Sequence, residues 1–327
     1  MPAVSVIVPF YNAASNFERC LRSVFAQTLD DLEFVFVDDG STDQSVPVLD
    51  KIIALYPDRK NSVRLVRHNA NQGVLASRKD GVNASTGRYV IFADADDTVL
   101  PECYGKLYKR AIETDADMVC CGYVEDVDGV VRDGFFGAVV SSDKERRIRD
   151  SIALKSSPFL MTKMVKGDIL RSPDFVWPVE NIAEDWAMSV QFALLCENVT
   201  SVNEKYYRYY IYSGSISHVA QTDTRYISRV SSERMNVESV EKLFRKKGIY
   251  EDFVTEFDAR KTNIKRLMFP LLSSREMRRE WRSTFPEINW RILLNRYVPW
   301  DYKIKHLCAM LGIYSPLYSI YNHIVGK

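Results

Sequence analysis

The ten residues from Arg88 to Asp97 bring more chemistry together than any other stretch of this chain. A run of β-formers, Tyr89, Val90, Ile91 and Phe92, leads straight into three carboxylates, Asp94, Asp96 and Asp97. Acids at the end of a buried strand repel one another and lose solvation unless a cation sits among them. A hard divalent ion meets that need, because Mg²⁺ prefers one or two carboxylates with phosphate oxygens completing its shell. Strand periodicity puts Asp94 and Asp96 on one side, so both face a single ion. Acids also close strands in solvated turns, so the triplet takes its weight from the residues upstream.

The elements that must position it alternate clearly. Apolar strands are expected at Val4–Val8 (closed by Pro9), Leu32–Val37, Val63–Val66, Tyr89–Ala93 and Met118–Val124. Helical patterns lie between them at 15–26, from Asp43, at 74–84 and at 100–112. Strands without polar alternation, separated by helices, predict a mostly parallel sheet covered on both faces, with ligands beyond the carboxyl ends of its strands. Residues 126–137 read as a hairpin or loop, 143–153 as a charged helix and 181–196 as an amphipathic helix. Two strands, 199–202 and 206–212, follow, and from Thr224 the pattern is helical with breaks at Pro270, Pro286, Pro299 and Pro316.

Three further motifs stand in register with the acidic one. The first strand ends in Pro9-Phe10-Tyr11-Asn12, the second in Val37-Asp38-Asp39-Gly40-Ser41-Thr42-Asp43, and Asn71-Gln72-Gly73 precedes Arg78. In these motifs the chain resembles the family 2 glycosyltransferases, inverting enzymes of the GT-A fold that use nucleotide-sugar donors. The resemblance covers roughly residues 3–125 and is specific, because four motifs keep their order and spacing. One departure is Ser77-Arg78-Lys79, where the family often has Ala-Arg-Asn; the arginine is kept.

The resemblance implies an α/β GT-A fold, Rossmann-like, with a nucleotide-sugar-binding and catalytic domain over residues 1–220 and a helical subdomain over 221–327. It implies transfer of a hexosyl or N-acetylhexosaminyl group from a UDP-sugar to a hydroxyl, with inversion and with Mn²⁺ or Mg²⁺. Donor-binding positions are then Pro9, Tyr11, Asp38, Asp39, Asn71, Gly73, Arg78, Asp94 and Arg208. A uracil ring needs a flat partner, which Tyr11 supplies, and an acceptor for N3–H, which either Asp38 or Asp39 supplies. Gly40 would let the backbone approach the nucleotide, and Asp43 reads as a helix cap. Asp96 is the metal ligand, with His218 from the late segment Ser215-Ile216-Ser217-His218 as a second. Asp97 is read as a neighbour or turn cap.

For the base, the family places an acidic pair at the start of a later helix, and Glu184-Asp185 fits. Asp185 is the expected base and Glu184 its structural neighbour, while the plain alternative is a helix start favoured by the macrodipole. The dipole would also keep Asp185 charged and weaken it as a base. His68, His306 and His323 read as structural.

Net charge is +1, but from Arg260 onward there are 13 Lys/Arg against 4 Asp/Glu, while residues 1–259 hold 31 against 39. The basic end, with Trp281, Trp290 and Trp300, fits either an anionic membrane face or a helical subdomain that packs on the catalytic domain or on a second subunit. The six cysteines have no Cys-x-x-Cys or zinc-ligand spacing and lie mostly in apolar segments. With no basic n-region or cleavage site around Ser5–Val8, the expectation is reduced thiols in a cytoplasmic protein, peripheral at most to the inner membrane face. A saccharide or polyprenyl-diphosphate-linked acceptor is expected and no nucleic acid. The competing class is a non-catalytic nucleotide-sugar or glycan-binding module on the same fold. A nucleotidyltransferase is disfavoured, because the slot after the first strand holds Phe10–Ala14 where a glycine-rich, basic loop would stand.

Overall fold

Alternating apolar strands and helices need two faces on which to bury themselves, and the computed structural model gives them two. It describes residues 1–212 and 223–314. The chain divides into one unit of Met1–Ser151 and Lys155–Val219 and another of Ile152–Leu154 and Ala220–Lys327.

The first unit begins with β1 (Val4–Phe10), α1 (Phe17–Phe25), β2 (Leu32–Asp38), α2 (Ser45–Leu55), β3 (Val63–Arg67), α3 (Val74–Ala84) and β4 (Tyr89–Phe92). β3, β2, β1 and β4 lie side by side, all parallel, with Phe10 opposite Asp38 and Ile7 opposite Phe92. Alternate residues of β1 feed two cores. Val4, Val6, Val8 and Phe10 pack with Phe17, Leu21, Phe25 and Phe36 on one face. Ile7 packs with Val37, Val82 and Phe92 on the other. Burying both faces explains the unbroken apolar runs.

Pro9 does not close β1. It is buried, pairs with Val37, and the strand runs on to Phe10. The β4 ladder has already ended at Ile7, so on that side the absent N–H leaves no bond unmade. β4 in turn stops at Phe92, opening a gap beyond Ile7 at the carboxyl edge of the sheet.

The parallel order ends at β4. After β5 (Thr98–Val99) and α4 (Cys103–Thr114) come the hairpin β6 (Met118–Val127) and β7 (Val130–Asp133), α5 (Lys144–Ile152), β8 (Lys163–Lys166), α6 (Gly167–Arg171), α7 (Glu184–Leu195) and β9 (Val199–Ile211). β8 inserts antiparallel between β4 and β6, and β9 runs parallel to β6. The two strands expected over 199–212 are one. Exposed Asn203, Glu204 and Lys205 keep the strand going through register shifts opposite Cys120 to Tyr123. Polar residues there mark an irregularity in the ladder and not a turn.

The second unit holds α8 (Asp223–Lys246), α9 (Val254–Leu267), α10 (Arg275–Ser283), α11 (Ile288–Arg291) and α12 (Trp300–Leu311). Pro270 lies in a short 3₁₀ turn, Pro286 between α10 and α11, and Pro299 at the N-cap of α12; Pro316 is outside the described residues. Phe244, Phe257, Ile264, Trp281 and Ile292 are buried. Part of the basic charge is buried too. Arg260 pairs with Glu233 at 2.8 Å, and Lys261 lies 2.7 Å from both Glu241 and Glu287. Trp281, expected at a surface, is core, its indole N–H donating to the Lys265 carbonyl. Among the described residues no helix is long and apolar enough to cross a membrane. All six cysteines are free, and only Cys308 is not buried.

Candidate functional site

Asp38 and Asp39 leave β2 together but do different things. Asp38 is buried; one oxygen accepts the Ser41 N–H at 2.8 Å and the other lies 3.3 Å from Arg67 Nε. Asp39 is taken up by the next loop. Its Oδ1 accepts from Gln72 N–H at 2.8 Å and lies 2.7 Å from His68 Nδ1, and its Oδ2 accepts from Gly73 N–H at 2.8 Å. The other ring nitrogen of His68 lies 3.1 Å from Asp80. Asp39 therefore fastens the 71–73 loop, while Asp38 closes the turn to Ser41, and both carboxylates are buried and engaged.

At φ +76° a Cβ on Gly40 would stand 2.8 Å from the backbone of Ala70, so the close approach that it permits here is that of the segment leading into the same loop. Asn12, at φ +47°, accepts the Thr42 N–H at 2.9 Å, joining the ends of β1 and β2. Beside it Tyr11 is 46% exposed, with a ring face available. Asp43 accepts from Ser45 N–H at 2.9 Å and Ala14 N–H at 3.1 Å, so it organises the start of α2 from just outside the cap residue, Gln44.

The acids after β4 sit on a turn, not on a strand end, and the strand-parity argument for Asp94 and Asp96 lapses. Asp97 N–H returns to the Asp94 carbonyl at 3.2 Å. Asp97 is buried, and one oxygen accepts the Tyr210 N–H at 2.9 Å. Burial, then the charges of Asp94 and Asp96, push its carboxyl well above the usual range. Asp97 therefore ties the turn to β9. Asp96 stands exposed at the tip, and its carboxyl is raised by desolvation and then by Asp94. Arg19 of α1 holds the turn from below. Its guanidinium donates to the Asp96 carbonyl and, at 2.6 Å, to the Tyr212 hydroxyl, and it lies 3.6 Å over the Tyr210 ring.

Arg78 joins this turn to α7. It is 7% exposed and donates to Asp94 Oδ1 at 3.2 Å and to Glu184 Oε1. One turn earlier in α3, Asn181 Oδ1 accepts the Leu75 N–H at 2.9 Å. A sequence reading starts the later helix at Asn181; the helix in fact starts at Glu184, and Asn181 caps α3. Gly73, the cap residue of α3, has φ +95° and ψ 162°, with Asn181 packed where a Cβ would be.

Asp185 follows Glu184 and is partly buried. Its carboxyl accepts the Trp186 N–H at 2.7 Å. Burial, then the charge of Glu184, push its pKa up to about 7, against the pull of Arg78 and Lys163. This reverses the expectation that the helix start keeps Asp185 a weak base. Lys163 is buried and pushed down to about 8 by its burial; its ammonium donates to the carbonyls of Ser157 and Phe159 at 2.7 and 2.8 Å.

Asp94, Arg78, Glu184 and Asp185 thus form one cluster at the carboxyl edge, next to Asp96. Asn71 is exposed on the loop that Asp39 holds. Arg208 lies in β9 opposite Thr98, with its guanidinium 3.9 Å from Asp126 of β6 and 6.0 Å from the Tyr210 ring centre. His218 and His323 lie outside the described residues. His306 is buried against the Asn289 carbonyl, as a structural histidine would be. Arg19 and Lys163 carried no sequence signal, and Tyr207, in the late segment beside Arg208, accepts from Asp94 N–H at 3.1 Å through its hydroxyl.

Among the described residues no three His, Cys, Asp or Glu side chains converge as a metal cage. The residues present still fit an Mg²⁺ or Mn²⁺ ion bound largely through a ligand's phosphates. Asp96 offers an exposed carboxylate, and Asp94 has one oxygen engaged by Arg78.

A family model described as Glycosyl transferase family 2 matches residues 5–162. An uncharacterized glycosyltransferase of Escherichia coli, YibD, is 42% identical over 118 residues, 36% of this chain and 33% of the relative. The matched stretch spans about a third of the length of the curated relatives. Among solved structures, S. aureus TarS 1-349 in complex with UDP-GlcNAc gives a TM-score of 0.67 at 20% identity, covering 99% of this chain and 92% of that one. The mannosyltransferase PcManGT from Pyrobaculum calidifontis, in complex with GDP-Man and Mn²⁺, gives 0.53 at 16% identity, over 98% and 88%. These structural likenesses establish the GT-A fold.

Two stability measurements follow from the geometry. Arg78→Met leaves Glu184 and Asp94 facing each other without a counter-charge and should cost about 3–5 kcal/mol in urea unfolding, much of it recovered by adding Glu184→Gln. A single-variant loss below about 1 kcal/mol would mean the bridge does not hold the cluster. Gly73→Ala forces an alanine into backbone space that is nearly glycine's alone, at about 1–3 kcal/mol by the same measurement.

Proposed function

This chain belongs to the family 2 glycosyltransferases, and from that premise we propose that it transfers a sugar from a UDP-sugar to a hydroxyl of a glycan or lipid-linked acceptor, with inversion. The observation that carries the reading is the pairing of an exposed acidic turn with a carboxyl held near neutral pKa on α7, bridged by Arg78. The name of one neighbour records UDP-GlcNAc, which supports a UDP-sugar donor of the hexosyl or N-acetylhexosaminyl class. Another records Mn²⁺, which supports a divalent ion.

In this mechanism Tyr11 stacks on the uracil and Asp38 or Asp39 accepts its N3–H. Pro9, Asn71 and Gly73 shape the wall around the nucleotide, and Arg78 keeps Asp94 oriented towards the ribose. Asp96, with Asp94 beside it, would hold Mn²⁺ or Mg²⁺, and the ion when bound supplies positive charge to the donor diphosphate. Asp185 accepts the proton of the acceptor hydroxyl as that oxygen bonds to the anomeric carbon and the carbon–oxygen bond to UDP breaks. Glu184 does not share this task, because its carboxylate is committed to Arg78. Arg208 enters donor closure only by leaving Asp126, and His218 is kept as a second metal ligand from the late segment. A binding module without catalysis would have no use for a base raised to about 7.

For residues 221–327 we propose a helical subdomain that attaches peripherally to an anionic membrane face, on the cytoplasmic side; homodimer packing is the alternative.

The deciding experiment screens the purified chain against UDP-sugars with Mn²⁺, reading UDP release. UDP should outcompete GDP and ADP, and a tighter GDP would refute the uracil pocket. Chelator should weaken UDP binding in the wild type, and Asp96→Ala should remove that dependence; equal affinity with and without metal would refute the ion assignment. Transfer should rise with pH through about 7 as Asp185 loses its proton. Asp185→Asn should lower transfer by about 10²–10⁴, abolish that limb and leave UDP affinity alone. A normal rate in this variant would place the base elsewhere.

A further inference from the structure

α10 carries Arg275, Arg278, Arg279 and Arg282, spaced i, i+3, i+4 and i+7, which places four guanidiniums on roughly 100° of one helix face. Among the described residues they alone line a cleft of about 430 Å³, with no described carboxylate contributing to it. Trp281, roughly 110° round the helix from the middle of the stripe, is buried, so the stripe lies to one side of the packed face. Two of the four are held in place. Arg278 donates to the carbonyls of Leu272 and Ser273 at 2.8 and 2.7 Å, and Arg282 to that of Met310 at 2.8 Å. Arg275 and Arg279 stand exposed. Four like charges along about 10 Å of helix repel one another, and arginines pre-set in this way suit phosphate, which they bind bidentately.

The surroundings indicate which phosphate. Met310, the acceptor for Arg282, lies at the end of α12. That helix buries Tyr302, His306 and Ala309 and leaves Trp300 75%, Ile304 59% and Leu311 61% exposed. Residues 300, 304 and 311 share a face within roughly 40° of arc, and Ile313 just beyond is 45% exposed. A polyanion in solution would need the arginines but not this apolar strip. A bilayer uses both, since phosphates meet the guanidiniums while Trp and aliphatic side chains enter the headgroup–acyl boundary.

We propose that the α10 arginine stripe is a binding site for the phosphates of anionic lipid headgroups, with the exposed face of α12 dipping in beside it. This rests on the peripheral-membrane reading of the second unit and gives it a location. The test is co-sedimentation of the full chain with phosphatidylcholine vesicles and with vesicles containing phosphatidylglycerol, at low salt, for the wild type, R275E/R279E and Trp300→Ala/Ile304→Ser. The wild type should prefer the anionic vesicles by about tenfold or more. R275E/R279E should lose that preference, with UDP-sugar hydrolysis and thermal midpoint unchanged. The α12 variant should weaken binding while keeping the preference. If R275E/R279E still prefers anionic vesicles, the membrane reading stands and the arginine site is wrong. If the wild type ignores vesicles, both fail. If it ignores vesicles but binds tripolyphosphate through the same arginines, the ligand is a soluble phosphate and the lipid proposal is overturned.

Discussion

A single buried guanidinium holds the site together. Arg78 bridges Asp94 and Glu184, so the turn after β4, the middle of α3 and the start of α7 cannot move independently. Those residues span more than a hundred positions of chain, and no backbone ladder joins them at that point. A buried ion pair is weak evidence for stability, because desolvation offsets most of its attraction. Its value here is geometric. Without Arg78, buried Glu184 would be left unpaired and the partly exposed Asp94 would lose its counter-charge, so the contact between the two segments would weaken. Asn181 on Leu75 and Asp39 on Gly73 extend the same fastening to the loop beside Asp38.

That arrangement sets the chemistry of Asp185. The first turn of a helix favours a carboxylate by about 0.3–1 kcal/mol, which is less than one pK unit. Burial and the adjacent Glu184 act in the opposite direction and are larger, because the group ends near 7 and not below 4. Glu184 is paired with Arg78, and Asp185 is the member of the pair whose carboxyl is pushed up towards neutral pH. A shared position at the helix start thus yields two different acids, one spent on structure and one available to a hydroxyl.

The sequence made the sheet legible because both of its faces are buried. Runs such as Val4–Val8 and Leu32–Val37 have no polar alternation, and helices must separate them. The acids that follow β2 and β4 stood out for the same reason, since carboxylates after a buried strand need partners. What could not be read was partnership over distance. Asp38 and Asp39 are neighbours of identical type, and only the fold shows that one meets Ser41 while the other holds the 71–73 loop. Arg19 is one more charge on an amphipathic helix until Tyr210 and Tyr212 close on it. His68 looked structural and is, but its structural task is to fix Asp39 at the edge of the site. Trp281, counted with the surface aromatics, lies inside because composition does not say which side of a helix faces out.

The charge distribution forms a consistent picture with this geometry. Residues 1–259 carry an excess of eight acids, which by itself repels a diphosphate. Screening confines that repulsion to about 10 Å at 0.1 M salt, so the local groups decide. Near the proposed donor path the buried arginine is already neutralised by Asp94 and Glu184, and Asp96 adds a further negative charge. An anionic donor placed there would meet uncompensated negative charge, and this is the physical argument for the divalent ion proposed above.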